Sequence, residues 1–192
     1  MKRISVTLML LVAVICAMAQ EHLSFKGIPI EGSMTTFCQK LEDKGFVSVG
    51  SDNDVMMFRG DFTGREANVN VIATDKGKNV FSVVVFFEPS GEWNTLVNTY
   101  NYYKNLYTRK YGGPEHLEES NPAYSNTNTS LMLEVFQGTV VYESMWNVTG
   151  GDILLSIEKY TAAAYEHKGI VIITYRDSQN NEAKIKNDLD EI

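Results

Sequence analysis

Cysteine is scarce in this chain, with Cys16 and Cys38 alone among 192 residues. A small domain stapled by disulfides is therefore excluded, and stability has to come from an apolar core. Basic residues are outnumbered, 17 Lys and Arg against 24 Asp and Glu. Nucleic-acid binding needs clustered cations to displace counterions, so that class is excluded and no attraction to anionic membrane surfaces is expected. Beyond residue 15 no apolar run is long enough to span a bilayer, so no transmembrane span is expected in the mature chain. The chemical signatures are missing as well. There is no G-x-S-x-G elbow, no phosphate-binding glycine loop and no H-E-x-x-H. His22, His116 and His167 lie far apart, so neither a metal nor a cofactor is expected. No carboxylate pair sits in a motif, no catalytic residue is named, and the reading leans away from an enzyme.

What is present begins with a leader. Lys2 and Arg3 precede an uncharged stretch, residues 4–15, and Ala17-Met18-Ala19 forms an A-x-A cleavage site ahead of Gln20. This is the tripartite pattern of a secretory signal peptide over residues 1–19, and it implies export to the periplasm or the medium. Ile15 is bulky where a lipoprotein signal carries a small residue, which argues against a lipid anchor at Cys16. Without the leader, 15 basic residues face 24 acidic ones, a net charge of −9, which favours solubility.

The rest, with 44% hydrophobic and 21% charged residues over the chain, is globular in composition. Residues 20–32 form an extended lead-in. Ser33 can cap a helix in which Met34, Phe37, Cys38 and Leu41 recur at helical spacing, and Gly45 ends it. Cys38 belongs to that apolar stripe and is expected to be buried. Strands are predicted at 46–49, 55–62, 67–74 and 80–87, joined by short turns that make antiparallel hairpins. Asp52-Asn53-Asp54 reads as one of those turns, because Met56 and Met57 stand where a calcium loop needs ligands and glycine. The stretch VFSVVVFF is apolar on both faces and is expected either at the centre of the sheet or presenting an outer face to a partner.

A long helix follows residues 89–91. Trp93, Leu96, Val97, Tyr100, Tyr103, Tyr107 and Tyr111 share one face, and Gly112-Gly113-Pro114 stops it. Residues 115–130 read as a polar loop, in which His116 and its neighbouring glutamates are a solvated charge run rather than a metal site. Residues 131–137 fit either a helix or a strand. Strands are predicted at 140–147, 153–159 and 169–176, and the polar tail from residue 180 carries a loose helical period. Asn128 and Asn147 head N-glycosylation sequons, which mark loops.

The order helix-then-strands occurs twice. The expected fold class is α+β: an antiparallel sheet from two tandem helix-plus-strands units, about 20–88 and 89–179, with helices packed on one face and a tail at 180–192. Tyr102 lies opposite the apolar stripe of the long helix and Leu106 on its flank. With Tyr124 in the polar loop and Trp146 near a turn, these four are the candidate contact patch. Across the strands, Met56, Phe58, Val84 and Phe86 share one numbering parity and Phe81, Val83, Val85 and Phe87 the other; either set could face outward.

Several motifs carry a resemblance. They are Phe25-Lys26-Gly27-Ile28-Pro29-Ile30-x-Gly32, Leu41-x-x-Lys44-Gly45-Phe46, Lys110-Tyr111-Gly112-x-Pro114, and Trp146 with Gly151-x-Ile153-x-Leu155 and Ile172-x-x-Tyr175-x-Asp177. Together they resemble a group of small secreted proteins of Gram-negative gut bacteria. They are structural motifs and carry no catalytic residues across. The duplicated element order is also similar to the beta-lactamase-inhibitor-protein-like architecture, in which tandem α+β units build one sheet that grips a partner protein. The absence of any catalytic motif, the aromatic content and this similarity together point to an exported, non-enzymatic binding protein with a protein partner in the periplasm or envelope. The alternatives are an envelope-assembly or structural component, or a polymer hydrolase, which would need two carboxylates roughly 5 to 9.5 Å apart in a pocket.

Overall fold

The computed structural model describes residues 21–74, 77–122, 126–161 and 167–190. The leader at 1–19, Cys16 and Tyr124 lie outside them.

The lead-in is built into the core. Strands β1 (Ser24–Phe25) and β2 (Ile28–Pro29) pair through a two-residue turn, with Lys26 and Gly27 at φ 52° and 78°. Positive φ at both central residues matches the right-handed twist of the flanking strands. Leu23, Phe25, Ile28 and Ile30 are buried. Helix α1 (Met34–Glu42) starts as its sequence directs: the Ser33 side chain accepts from the Thr36 N–H. Phe37, Cys38 and Leu41 face inward.

Strands β3 (Val47–Asp52), β4 (Val55–Phe62), β5 (Arg65–Thr74) and β6 (Asn79–Phe86) then run as a meander. Helix α2 (Trp93–Tyr111) follows. Its start has no cap from Glu92; instead Asn128, in the next helix, accepts from the Trp93 N–H at 2.7 Å and donates to the Gly91 carbonyl at 3.1 Å. Asn128 is thus a cap supplied from a distance, and its sequon marks a structural residue. Strand β7 (His116–Ser120) crosses the stretch that reads as a loop in the sequence. It is exposed throughout, and without a buried face it has no alternation to show. Helix α3 (Asn128–Gln137) resolves the ambiguity at 131–137, opened by a Thr127–Ser130 capping box and closed by Gly138 in the left-handed region.

Strands β8 (Val141–Val148), β9 (Gly151–Lys159) and β10 (Gly169–Asp177) complete one eight-stranded antiparallel sheet, in the order β3-β4-β5-β6-β10-β9-β8-β7. The chain therefore folds as α+β with a large antiparallel sheet. Strand β6 lies in its interior, as its two apolar faces require. The predicted polar tail is instead helix α4 (Ser178–Asp190). Ile185 and Leu189 on it are exposed, so it has no buried stripe and no strong period.

One core serves the sheet. Phe58, Val69, Val71, Val83, Val85, Leu155, Ile153, Ile173, Tyr175 and Trp146 of the sheet form one buried cluster with Phe37 and Leu41 of α1, Tyr100 and Tyr103 of α2, and Met132 and Val135 of α3. Helix α4 contributes no buried side chain among the described residues. Aromatic rings run through this core from Phe46 to Phe25, Phe62, Phe87 and Tyr103. A branch leads from Phe25 through Tyr175 and Tyr107 to Trp146.

Candidate functional site

The second face of the sheet is assembled by register. In a strand successive side chains alternate faces, and residues opposite one another share a face. Met57 lies opposite Asn70, Asn70 opposite Val84, Val84 opposite Thr174, Thr174 opposite Leu154 and Leu154 opposite Met145. This uncharged lane crosses six strands, about 24 Å at the usual interstrand spacing, and every member is half-buried. The row on one side is Arg59, Asn68, Phe86, Ile172, Ser156 and Glu143. The row on the other is Val55, Ile72, Ser82, Arg176, Asp152 and Asn147. Charges sit toward the periphery and are largely paired. Arg176 Nη2 is 2.7 Å from Asp152 Oδ1, and Arg59 Nε is 3.4 Å from Glu66 Oε1.

The parity question is thereby answered, and differently for each pair. Val84 and Phe86 belong to this second face, whereas Met56 and Phe58 belong to the core face, opposite Val71 and Val69. Numbering parity does not carry from β4 to β6, because two turns and a register shift beside Ile72 intervene. Val83, Val85 and Phe87 are buried in the core, and half-buried Phe81 sits at that shift.

Of the predicted patch, Tyr124 lies outside the described residues, Tyr102 and Leu106 stand one turn apart on α2, and Trp146 does not join them. Tyr102 is 40% exposed, but the Arg65 guanidinium lies 5.0 Å from its ring centroid and lends it a cation–π partner. Leu106 is half-buried against the core. Trp146 is a correction: it is in the core, beside Tyr107, and its indole N–H donates to the Gly112 carbonyl at 3.0 Å. The alternation of Tyr142, Ser144, Trp146 and Val148 along β8 is the signal that places it inward.

A cleft of about 680 Å³ opens between the lead-in, the end of α2 and the β8–β9 turn. Among the described residues lining it, Glu21 supplies the one carboxylate, so the paired carboxylates a glycoside hydrolase needs do not line it. Its floor is Tyr107 and Tyr175, whose hydroxyls are 2.5 Å apart. Burial pushes both phenols above the ordinary tyrosine range, and burial does the same to Tyr100, which is hydrogen-bonded to Ser144 at 2.6 Å. A raised folded-state pKa means that the fold holds these protons more tightly than the denatured chain. The resulting stability is complete below about pH 10, the ordinary tyrosine value, and is lost as pH rises beyond it. Alkaline titration followed by tyrosinate absorbance should show these three phenols ionising together with unfolding. A smooth, reversible ionisation of all tyrosines near pH 10 with the fold intact would contradict this.

Cys38 is buried, and burial together with Glu42 pushes its thiol up to about 11. It is a packing residue with little thiolate at neutral pH. Asn53, at φ 47°, forms the β3–β4 turn expected at Asp52-Asn53-Asp54. His116 Nε2 stands 3.9 Å from Glu143 Oε1, and among the described residues no group of three metal-ligating side chains converges. No helix is long and apolar enough to cross a membrane, again among the described residues.

Comparison with known protein families, with curated proteins and with solved structures found no match to this chain.

Proposed function

We propose that this is an exported, non-enzymatic binding protein of the periplasm or cell envelope, and that the sheet face opposite α1, α2 and α3 holds a partner protein. The observation that carries the proposal is the lane itself. A sheet face turned away from the core is ordinarily polar, yet here Met57, Val84, Leu154 and Met145 cross it, flanked by Ile72, Phe86 and Ile172. Uncharged centre and charged rim are the anatomy of a protein interface.

Export rests on the leader pattern at residues 1–19. The strand order supports the reading as two tandem units: β3 to β6 occupy one half of the sheet in sequence order, and β7 to β10 the other half in reverse. Each half follows a helix, and the halves join where β6 pairs with β10. That arrangement is what the resemblance to beta-lactamase-inhibitor-protein-like architecture implies, in which a shared sheet grips a protein.

The test is capture from envelope and medium extracts by the immobilised mature protein, followed by mass spectrometry. One saturable partner is expected. Phe86→Ala should weaken its binding by more than about tenfold, as central aromatic contacts do, while Leu133→Ala, at an exposed position on α3, should not. Equal capture by both variants would remove the lane from the interface.

A further inference from the structure

The two edges of the sheet are protected unequally. Every edge strand presents unpaired backbone N–H and C=O groups, and natural edges are commonly blunted with charge. Strand β7 is blunted: His116, Glu118 and Glu119 stand on it, and Lys104 of α2 clasps Glu119. Strand β3 is not. It reads Val-Ser-Val-Gly-Ser-Asp, uncharged up to its last residue, and pairs on one side with β4. Val47 and Val49 on it are 65% and 57% exposed. Val49 is the extra residue of a bulge, since Ser48 lies opposite Phe58 and Gly50 opposite Met57.

Beside this edge lies a groove of about 470 Å³, lined by Gly45, Val47, Val49 and Gly60 together with Arg59, Asp61 and Glu66. Arg59 is occupied by Glu66 and by the Asn68 amide oxygen. Acid also brackets the strand along the chain, with Glu42 and Asp43 before it and Asp52 and Asp54 at its far end, against Lys44 alone. A second copy of the chain pairing antiparallel here would bring the two acidic ends together, which opposes self-pairing.

We propose that β3 is a docking edge for an extended cationic peptide segment of a partner, added to the sheet as a further strand. Main-chain hydrogen bonds to β3 supply affinity. The groove takes a β-branched side chain of the added strand against Val47 and Val49, and flanking lysines or arginines meet Asp52 and Asp54 at the far end of the strand. The groove adjoins the flank of the lane at Arg59, but strand addition to the β3 backbone does not require that lane to bind.

The probe is a short synthetic peptide of alternating valine and lysine, capped at both ends and fluorescently labelled. Binding by anisotropy is expected, with slowed amide exchange confined to β3. The same peptide with glutamate for lysine, or with alternate backbone nitrogens methylated, should not bind. Val49→Lys, at an exposed position and therefore compatible with folding, should weaken binding at least about tenfold, which is 1.4 kcal/mol. Leu133→Ala, at an exposed position on α3, should leave it unchanged. Indifference to backbone methylation, binding of the glutamate peptide, or protection mapping away from β3 would overturn the proposal. So would absence of binding. Sedimentation showing a dimer that Val49→Lys dissociates would also overturn it, in favour of a second copy.

Discussion

Phe25→Ala should lower the free energy of unfolding by about 4 kcal/mol, the range for deleting a fully buried ring. Phe25 has no exposed surface and touches three separate parts of the fold. Its ring stacks on Phe62 of β4 at 5.7 Å and 4°, meets Tyr175 of β10 edge-on at 5.2 Å, and lies 6.2 Å from Phe46, which follows α1. Deleting it leaves a void that rigid strands on two sides cannot close, so the lost transfer energy and the cavity add. Against a typical total stability of about 5–15 kcal/mol, this is a large fraction. Urea denaturation of the chain from residue 20 onward measures it as a shift in midpoint. Phe25→Leu, which keeps most of the volume, should cost far less, about 1 kcal/mol. A midpoint shift for the alanine variant no larger than that of an exposed substitution would mean that the lead-in is not part of the core.

Asp177→Ala should be nearly as damaging, by about 3 kcal/mol, through unsatisfied donors rather than a cavity. The Asp177 carboxylate is fully buried. Its Oδ2 accepts the Leu23 N–H at 3.0 Å and faces His22 Nδ1 at 3.0 Å, and its Oδ1 accepts the Asn180 N–H at 3.0 Å. Asn180 in turn donates its amide to the Ile30 and Val80 carbonyls, at 3.0 and 2.9 Å. Alanine strips the acceptor from two backbone donors beneath the lead-in, where water has poor access. Amide exchange at Leu23 and Asn180 should accelerate more than at the centre of β6. Unchanged exchange at Leu23 would show that the lead-in is held by its apolar residues alone.

Most elements that could be read from the sequence have a wet side and a dry side, and β6 was read instead from its continuous apolar run. Helix α1 and strands β4, β5 and β9 each alternate or recur at their proper period, and their extents match closely. Strand β7 and helix α4 could not be read so, because both are exposed around most of their circumference and nothing selects an apolar stripe. The second face of the sheet was legible in part. Val84 and Phe86 invite attention by composition, but grouping them with Met57, Thr174 and Leu154 requires the pairing register, which one-dimensional spacing does not contain. Asp177 appears in the sequence as a polar residue ending an apolar strand. Its partner Leu23 lies 154 residues away, so its role is a product of topology.

That separation also dictates an order of completion. The first described residues, from Glu21 to Ile30, close on groups near the chain's other end: Asp177, Tyr175, Asn180 and the Gly150 turn, where an added Cβ would lie 2.4 Å from the Leu23 nitrogen. Until β10 and the start of α4 have left the ribosome, Phe25 has Phe62 and Phe46 but not Tyr175, the Leu23 N–H lacks its Asp177 acceptor, and β6 lacks its inner neighbour. A nascent chain therefore travels with its earliest segment part-fastened and its most apolar strand half-paired. Closure of the barrel-free sheet by β10 and fastening of the lead-in become one late event. A chain truncated before residue 169 should be a client for chaperones and proteases, not a smaller version of the same protein.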